Sequence, residues 1–156
     1  MTRTTESDAE RELILVREFN APRELVFRMW TDPKHVAEWW GPHGFTNPVV
    51  EMDVRPGGKY RIVMRDANGV DYPSKGKFIE VAEPERLVVT DAFDMEDAPA
   101  DEAVWTIIFE DIDGRTRLTI RLLCKSAKDR RTLVEMGWRE GTTEMLEKLE
   151  AYMAGL

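Results

Sequence analysis

Cysteine occurs once in the 156 residues, at Cys124, and histidine only twice, at His35 and His43. A single cysteine excludes an intramolecular disulfide and suits a reducing compartment, so a cytoplasmic location is the expectation. Two histidines with no partner four residues away, and no cysteine cluster, leave no ligand spacing for zinc, so no metal is expected. Cys124 follows Leu122 and Leu123 at a strand end, where a small buried hydrophobe is a simpler reading than a nucleophile. No Walker loop, dinucleotide fingerprint or Gly-x-Ser-x-Gly elbow occurs, and no cofactor is expected. Pro56-Gly57-Gly58 precedes a strand rather than a helix, so it reads as a turn and not a phosphate cradle.

Positive charge is also in short supply. Lys and Arg number 22 against 30 Asp and Glu, a net charge of -8, and such a field repels phosphate backbones and anionic lipid. Nucleic acid is therefore not expected as a partner. Long apolar runs are missing, and the opening MTRTTESDAERE places no hydrophobic segment behind basic residues, so neither membrane insertion nor a signal peptide is expected. What remains is an ordinary globular composition, 42% hydrophobic and 33% charged, at the size of one domain. Residues 1–11 lack apolar periodicity and are expected as a disordered tail, which leaves 12–156 as a single domain.

The run Leu13–Phe19 is short and β-rich and stops at Asn20-Ala21-Pro22, where proline suits the first turn of a helix. Leu25, Val26, Met29 and Trp30 then recur at helical spacing, and Thr31-Asp32-Pro33 opens a second short helix that ends at Gly41-Pro42. From Pro48 to Cys124, β-branched runs alternate with turn signals, the pattern of an antiparallel meander of about six strands. Asp113-Gly114 suits a two-residue type I′ turn. That register sets Phe109 opposite Leu118, Ile107 opposite Ile120 and Trp105 opposite Leu122, with Glu110 opposite Arg117 and Thr106 opposite Arg121 on the wet face. A tight Asn68-Gly69 turn would instead set Met64 against Pro73 and Ile62 against Lys75, so a bulge or longer loop is expected there. Asp94–Glu102 (DMEDAPADE) reads as an exposed loop. From Ser126 to Met153 there is no proline, and Val134, Trp138, Gly141, Met145, Leu149 and Tyr152 form one stripe, which predicts a single long C-terminal helix lying on the sheet. The fold class is α+β.

The residues that stand out are apolar. Trp39-Trp40-Gly41-Pro42, with Phe45 just beyond, reads either as a plug at one end of the core or as a pocket wall. Gly137 and Gly141 lie one turn apart in the expected helix, at about 1 kcal/mol each relative to alanine, so either the helix approaches the sheet closely or a void lies between them. Met52, Met64, Met136 and Met145 suit an irregular lining. Alternation places Leu87, Val89, Asp91 and Phe93 on one face of a strand. Either Asp91 is a carboxylate inside a pocket or it stands at an open rim; the lack of a partner histidine favours the rim and ordinary acidity. The expected ligand-binding walls are Trp39, Trp40 and Phe45 at one end, with Met52, Tyr60, Met64, Phe78, Asp91 and Trp105 from the sheet. The helix would add Gly137, Trp138, Gly141 and Met145.

Six pieces also match a known pattern in order and spacing over about residues 12–153. They are Phe19-Asn20-Ala21-Pro22-x-x-x-Val26-Phe27, Trp30-Thr31-Asp32-Pro33, Trp39-Trp40-Gly41-Pro42, Gly57-Gly58-Lys59-Tyr60, Glu83-Pro84-Glu85-Arg86-Leu87 and Gly137-Trp138. Together they resemble the family homologous to activators of the heat-shock protein 90 ATPase, within the SRPBCC, START and Bet v 1-like superfamily. The resemblance implies a helix-grip fold, a curved antiparallel sheet around a long C-terminal helix with a cavity between them. It also implies lipid- or polyketide-like ligands, or cyclase and hydrolase chemistry on the same scaffold, for which Asp91 and Tyr60 are the polar candidates. The eukaryotic co-chaperones carry an additional N-terminal domain, and no counterpart of it is expected before the first strand here. The expectation is thus a binder of a small, largely apolar molecule rather than an enzyme or a chaperone partner, with a homodimer left open.

Overall fold

The computed structural model describes residues 6–156. A short helix α1 (Asp8–Arg11), capped by the Ser7 hydroxyl, leads into β1 (Glu12–Phe19). Part of the expected N-terminal tail is therefore helical, and residues 1–5 of it lie outside the described residues. Helices α2 (Arg23–Thr31) and α3 (Pro33–Trp39) follow, with Pro22 and Pro33 at their starts and the Asp32 carboxylate accepting from the Lys34 N–H. Proline needs no hydrogen-bond acceptor there and the aspartate satisfies a free helix N–H.

The meander comprises β2 (Thr46–Met52), β3 (Lys59–Arg65), β4 (Asp71–Ala82), β5 (Arg86–Phe93), β6 (Ala103–Ile112) and β7 (Arg115–Leu123). With β1 it forms one seven-stranded sheet, ordered β1-β7-β6-β5-β4-β3-β2, with every neighbouring pair antiparallel. The β6–β7 register is the one expected, including Trp105 opposite Leu122 and Glu110 opposite Arg117. Asp113 and Gly114 both take positive φ, as a type I′ turn requires. Between β3 and β4 the loop is longer, closed by Arg65 opposite Asp71, which sets Met64 against Tyr72 and Ile62 against Ser74. The Asp66 carboxylate holds that loop by accepting from the Asn68 and Val70 N–H groups.

The C-terminal segment departs from the expected single helix. It divides into α4 (Ala127–Glu135) and α5 (Trp138–Ala154), with Gly137 between them at φ +89°. A left-handed residue ends a helix, and only glycine adopts that conformation without a Cβ penalty. The break turns α4 away from the stripe of α5. Val134 is consequently 46% exposed, while Met145 and Leu149 are buried against the sheet. Among the described residues no helix is long and apolar enough to cross a membrane.

The inner face of the sheet carries Trp105, Ile107 and Phe109 from β6 and Leu118, Ile120 and Leu122 from β7, all buried. The outer face carries exposed ion pairs such as Arg117–Glu110 (3.7 Å) and Arg115–Glu18 (3.4 Å). Pairs of that kind contribute little each. Burial of the inner face under α2, α3 and α5 therefore holds the fold together.

Candidate functional site

Between the sheet and α5 lies a cavity of about 240 Å³, bounded by Met64 and Trp105 from the sheet, Trp138, Gly141 and Met145 from α5, and Pro42 from the loop after α3. A second chamber of about 40 Å³ lies deeper and is lined by Met52, Tyr60 and Phe78 from the sheet and Trp30 and Val36 from the helices. Trp40, Asp91 and Trp105 border both chambers. They form the partition between an outer site and an inner recess.

Adjacent tryptophans take opposite roles. Trp39, the last residue of α3, is 0% exposed, donates its indole N–H to the Met29 carbonyl and packs edge-on against Trp30 at 4.8 Å. It plugs the core and lines neither chamber. Trp40 leaves the helix with extended backbone, which swings its ring to the cavity, 6.1 Å from the Trp105 ring. Trp105 in turn lies 6.1 Å from Trp138, so three indoles form one arc. Phe45 packs on Tyr72 at 5.8 Å and does not reach the lining.

The loop that carries Trp40 and Pro42 is fixed from behind. The Lys148 ammonium donates to the carbonyls of Trp40, Pro42 and Phe45 at 3.2–3.3 Å, and the Glu144 carboxylate accepts from the His43 N–H. Burial of the ammonium lowers the Lys148 pKa. Gly141 brings α5 close to this loop, since a Cβ there would stand 3.3 Å from the Pro42 ring. Both readings of Gly141 thus apply: it borders the cavity and it permits a close approach. Gly137 also borders the cavity, but its backbone conformation is the reason for glycine.

Asp91 overturns the rim expectation. Val89 pairs with Trp105 and Leu87 with Ile107, so the face of β5 that carries Leu87, Val89 and Asp91 is the inner one. The part of Asp91 that remains accessible borders both chambers, where a ligand can reach it. Burial pushes its pKa up to about 7, against the lowering effect of hydrogen bonds from the Tyr60 hydroxyl and the Trp105 indole N–H; the Glu102 carboxylate adds a smaller upward push. Tyr60 is held well above the usual phenol value by burial and by its acidic neighbour.

Tyr60 reaches Asp91 because of a glycine absent from the sequence-based candidates. Gly76 faces Tyr60 across β3 and β4, and the ring lies over it. A Cβ at position 76 would stand 1.9 Å from the Thr90 carbonyl oxygen and 2.5 Å from the Tyr60 ring. An isolated glycine within a strand is the available signal for such an approach. The Tyr60 hydroxyl lies 2.6 Å from Asp91 Oδ1 and 2.9 Å from the Thr90 carbonyl oxygen. One phenolic proton serves both protonation states of the acid. With Asp91 ionised, Tyr60 donates to it; with Asp91 protonated, the carboxyl donates to Tyr60 and Tyr60 donates to Thr90.

The acidic segment from Asp94 to Glu102 is exposed as expected, except that Asp94 is half-buried and paired with Arg61 and Lys75, and Ala100 is buried and borders the outer cavity. Cys124 is buried. Among the described residues no three His, Cys, Asp or Glu side chains converge as a metal site would need.

Residues 20–154 match the model of the family described as Activator of Hsp90 ATPase homolog 1-like protein. The chain belongs to this family. Solved structures of similar proteins agree with the helix-grip architecture of such a member. Protein NE0264 from Nitrosomonas europaea is 29% identical, with 96% of this chain and 97% of that one covered at a TM-score of 0.86. Protein Ms6760 from Mycobacterium smegmatis is 26% identical, with 97% and 95% covered at 0.84. The AHSA1 protein SPO3351 from Silicibacter pomeroyi is 28% identical, with 92% and 97% covered at 0.76. No curated protein matches the chain.

Proposed function

We propose that this family member binds a small, largely apolar organic molecule between the sheet and α5, without a covalent step. The observation that carries the reading is the preformed two-chamber cavity, walled by Trp40, Trp105, Trp138 and methionines. Apolar walls with a few convergent polar groups are the usual composition of a small-molecule site. The neutral fluorescent ketone prodan is expected to bind at one site per chain and to quench tryptophan emission. Ala103 lies opposite Asp91 and borders the outer chamber, so Ala103→Leu should reduce prodan affinity about tenfold or more while the protein still folds. Saturable binding that leaves tryptophan emission unchanged, or that Ala103→Leu does not weaken, would count against this cavity.

A second reading, a proton-transfer enzyme of the cyclase or hydrolase kind, is favoured by one observation. Burial raises the Asp91 pKa to about 7, where a general acid or base works best at neutral pH. In such a step the carboxylate takes a proton from the carbon beside a ketone carbonyl and later returns one to the enolate. Deuterium uptake from heavy water at the α-carbon of 2-tetralone, followed by NMR, tests it. Catalysed uptake that disappears in Asp91→Asn would put the enzyme first; uptake at the uncatalysed rate leaves binding alone. Chaperone contact has no comparable feature behind it.

A further inference from the structure

The polarity of the cavity is one-sided. Among the described residues, the charged groups that border it are carboxyls: Asp91 at the partition and the exposed Asp101 at the edge of the outer chamber, with Glu102 close enough to act on Asp91. Among the described residues no lysine, arginine or histidine borders either chamber. The cations on neighbouring elements are turned elsewhere. Lys148 is spent on three carbonyls behind the loop, and Arg61 and Lys75 pair with Asp94. A carboxylate or phosphate ligand entering this space would meet like charge without a counterion, at a cost that grows with desolvation.

The remaining polar features suit the opposite charge. Three indole rings curve around the outer chamber, with Trp105 next to both others, and aromatic faces attract cations. The Tyr60 hydroxyl and the Trp105 N–H hold the carboxyl in place from the protein side. On the reading that the cavity binds small apolar molecules, we infer that its ligand class is an organic amine bound as the cation, with an aromatic or aliphatic body among the indoles and its ammonium against Asp91.

The groups that face Asp91 fix the pH dependence. Tyr60 from β3 and Trp105 from β6 donate to it, Glu102 ahead of β6 opposes its ionisation, and Asp101 stands on the same outer wall. An ammonium requires the ionised carboxyl, so below about pH 7 amine binding must expel the Asp91 proton. Affinity for the amine should then fall by up to about tenfold per pH unit.

The test compares 2-phenylethylamine, 2-phenylethanol and phenylacetate, three ligands of one shape and different charge, by calorimetry at pH 8 and pH 6. At pH 8 the amine is expected to bind about tenfold or more tightly than the alcohol, and phenylacetate more weakly than either. At pH 6 the amine should lose most of that advantage while the alcohol is unchanged. Asp91→Asn should bring amine and alcohol to within about twofold of each other. Equal or better binding of the alcohol or of phenylacetate by the wild type overturns the inference without any variant, as does an amine preference that survives Asp91→Asn. If prodan binds in the cavity but the amine has no preference, the ligand class is wrong and the cavity reading stands. If neither prodan nor any of the three saturates a site, both fall.

Discussion

Asp91→Asn is expected to stabilise the ligand-free protein, and to do so far more at pH 8 than at pH 5. An aspartate in an unfolded chain titrates near 3.9, whereas in the fold its pKa is raised to about 7. Because the folded pKa is the higher one, the favourable contribution of this carboxyl is fully present below about pH 4 and is lost as pH rises through 7. Three units correspond to about 4 kcal/mol in total, of which roughly 2–3 kcal/mol is lost between pH 5 and pH 8. An asparagine keeps an oxygen to accept from Tyr60 and has no proton to lose. Urea denaturation of both proteins at the two pH values checks this. A stability difference that stays constant with pH, or an asparagine variant less stable at pH 8, would show that the fold does not raise the Asp91 pKa as described.

Gly76→Ala is expected to act in the other direction. Its methyl group would meet the Thr90 carbonyl oxygen and the Tyr60 ring at distances no packed atom tolerates. Strand β4 must move from β5 to clear the carbonyl, and the ring must shift from its place over position 76. Overpacking of this kind typically costs 1–3 kcal/mol, and contact with backbone rather than a flexible side chain argues for the upper end, about 3 kcal/mol. If the ring leaves, Asp91 loses the hydrogen bond that lowers its pKa, so its carboxyl carbon should titrate above pH 7 in an NMR titration. A variant of unchanged stability would show that the ring does not depend on the bare glycine.

The two positions differ in how far the sequence exposes them. The β6–β7 hairpin was readable because Asp113-Gly114 fixes the register and strict alternation then assigns the faces. The same alternation groups Asp91 with Leu87 and Val89 but does not say which face turns inward. That depends on Val89 pairing with Trp105, a contact between separate strands. For Trp39 and Trp40, neighbours in sequence, the deciding factor is where α3 ends, and helix ends are set by packing as much as by local signals. Gly137 fits a helix interior and a helix terminus equally well on paper; its positive φ is a property of the folded chain. The family pattern marked Trp40, Tyr60 and Trp138 without separating wall from plug. Gly76 belongs to none of the motif pieces, and its role emerges only once Tyr60 is seen lying across it.

The eight methionines of the chain offer the most direct view of whether the cavity takes a ligand. Met64, Met136 and Met145 border the outer chamber and Met52 the inner one, whereas Met29, Met95 and Met153 border neither. With methyl-labelled methionine, titration with naphthalene should shift the first four signals by the ring current of the bound molecule. All four should saturate together at one equivalent, with Met29, Met95 and Met153 unmoved. Shifts that grow without saturation, or that centre on exposed Met95 while Met64 and Met145 stay still, would mean that apolar molecules touch the surface and the cavity is not a binding site.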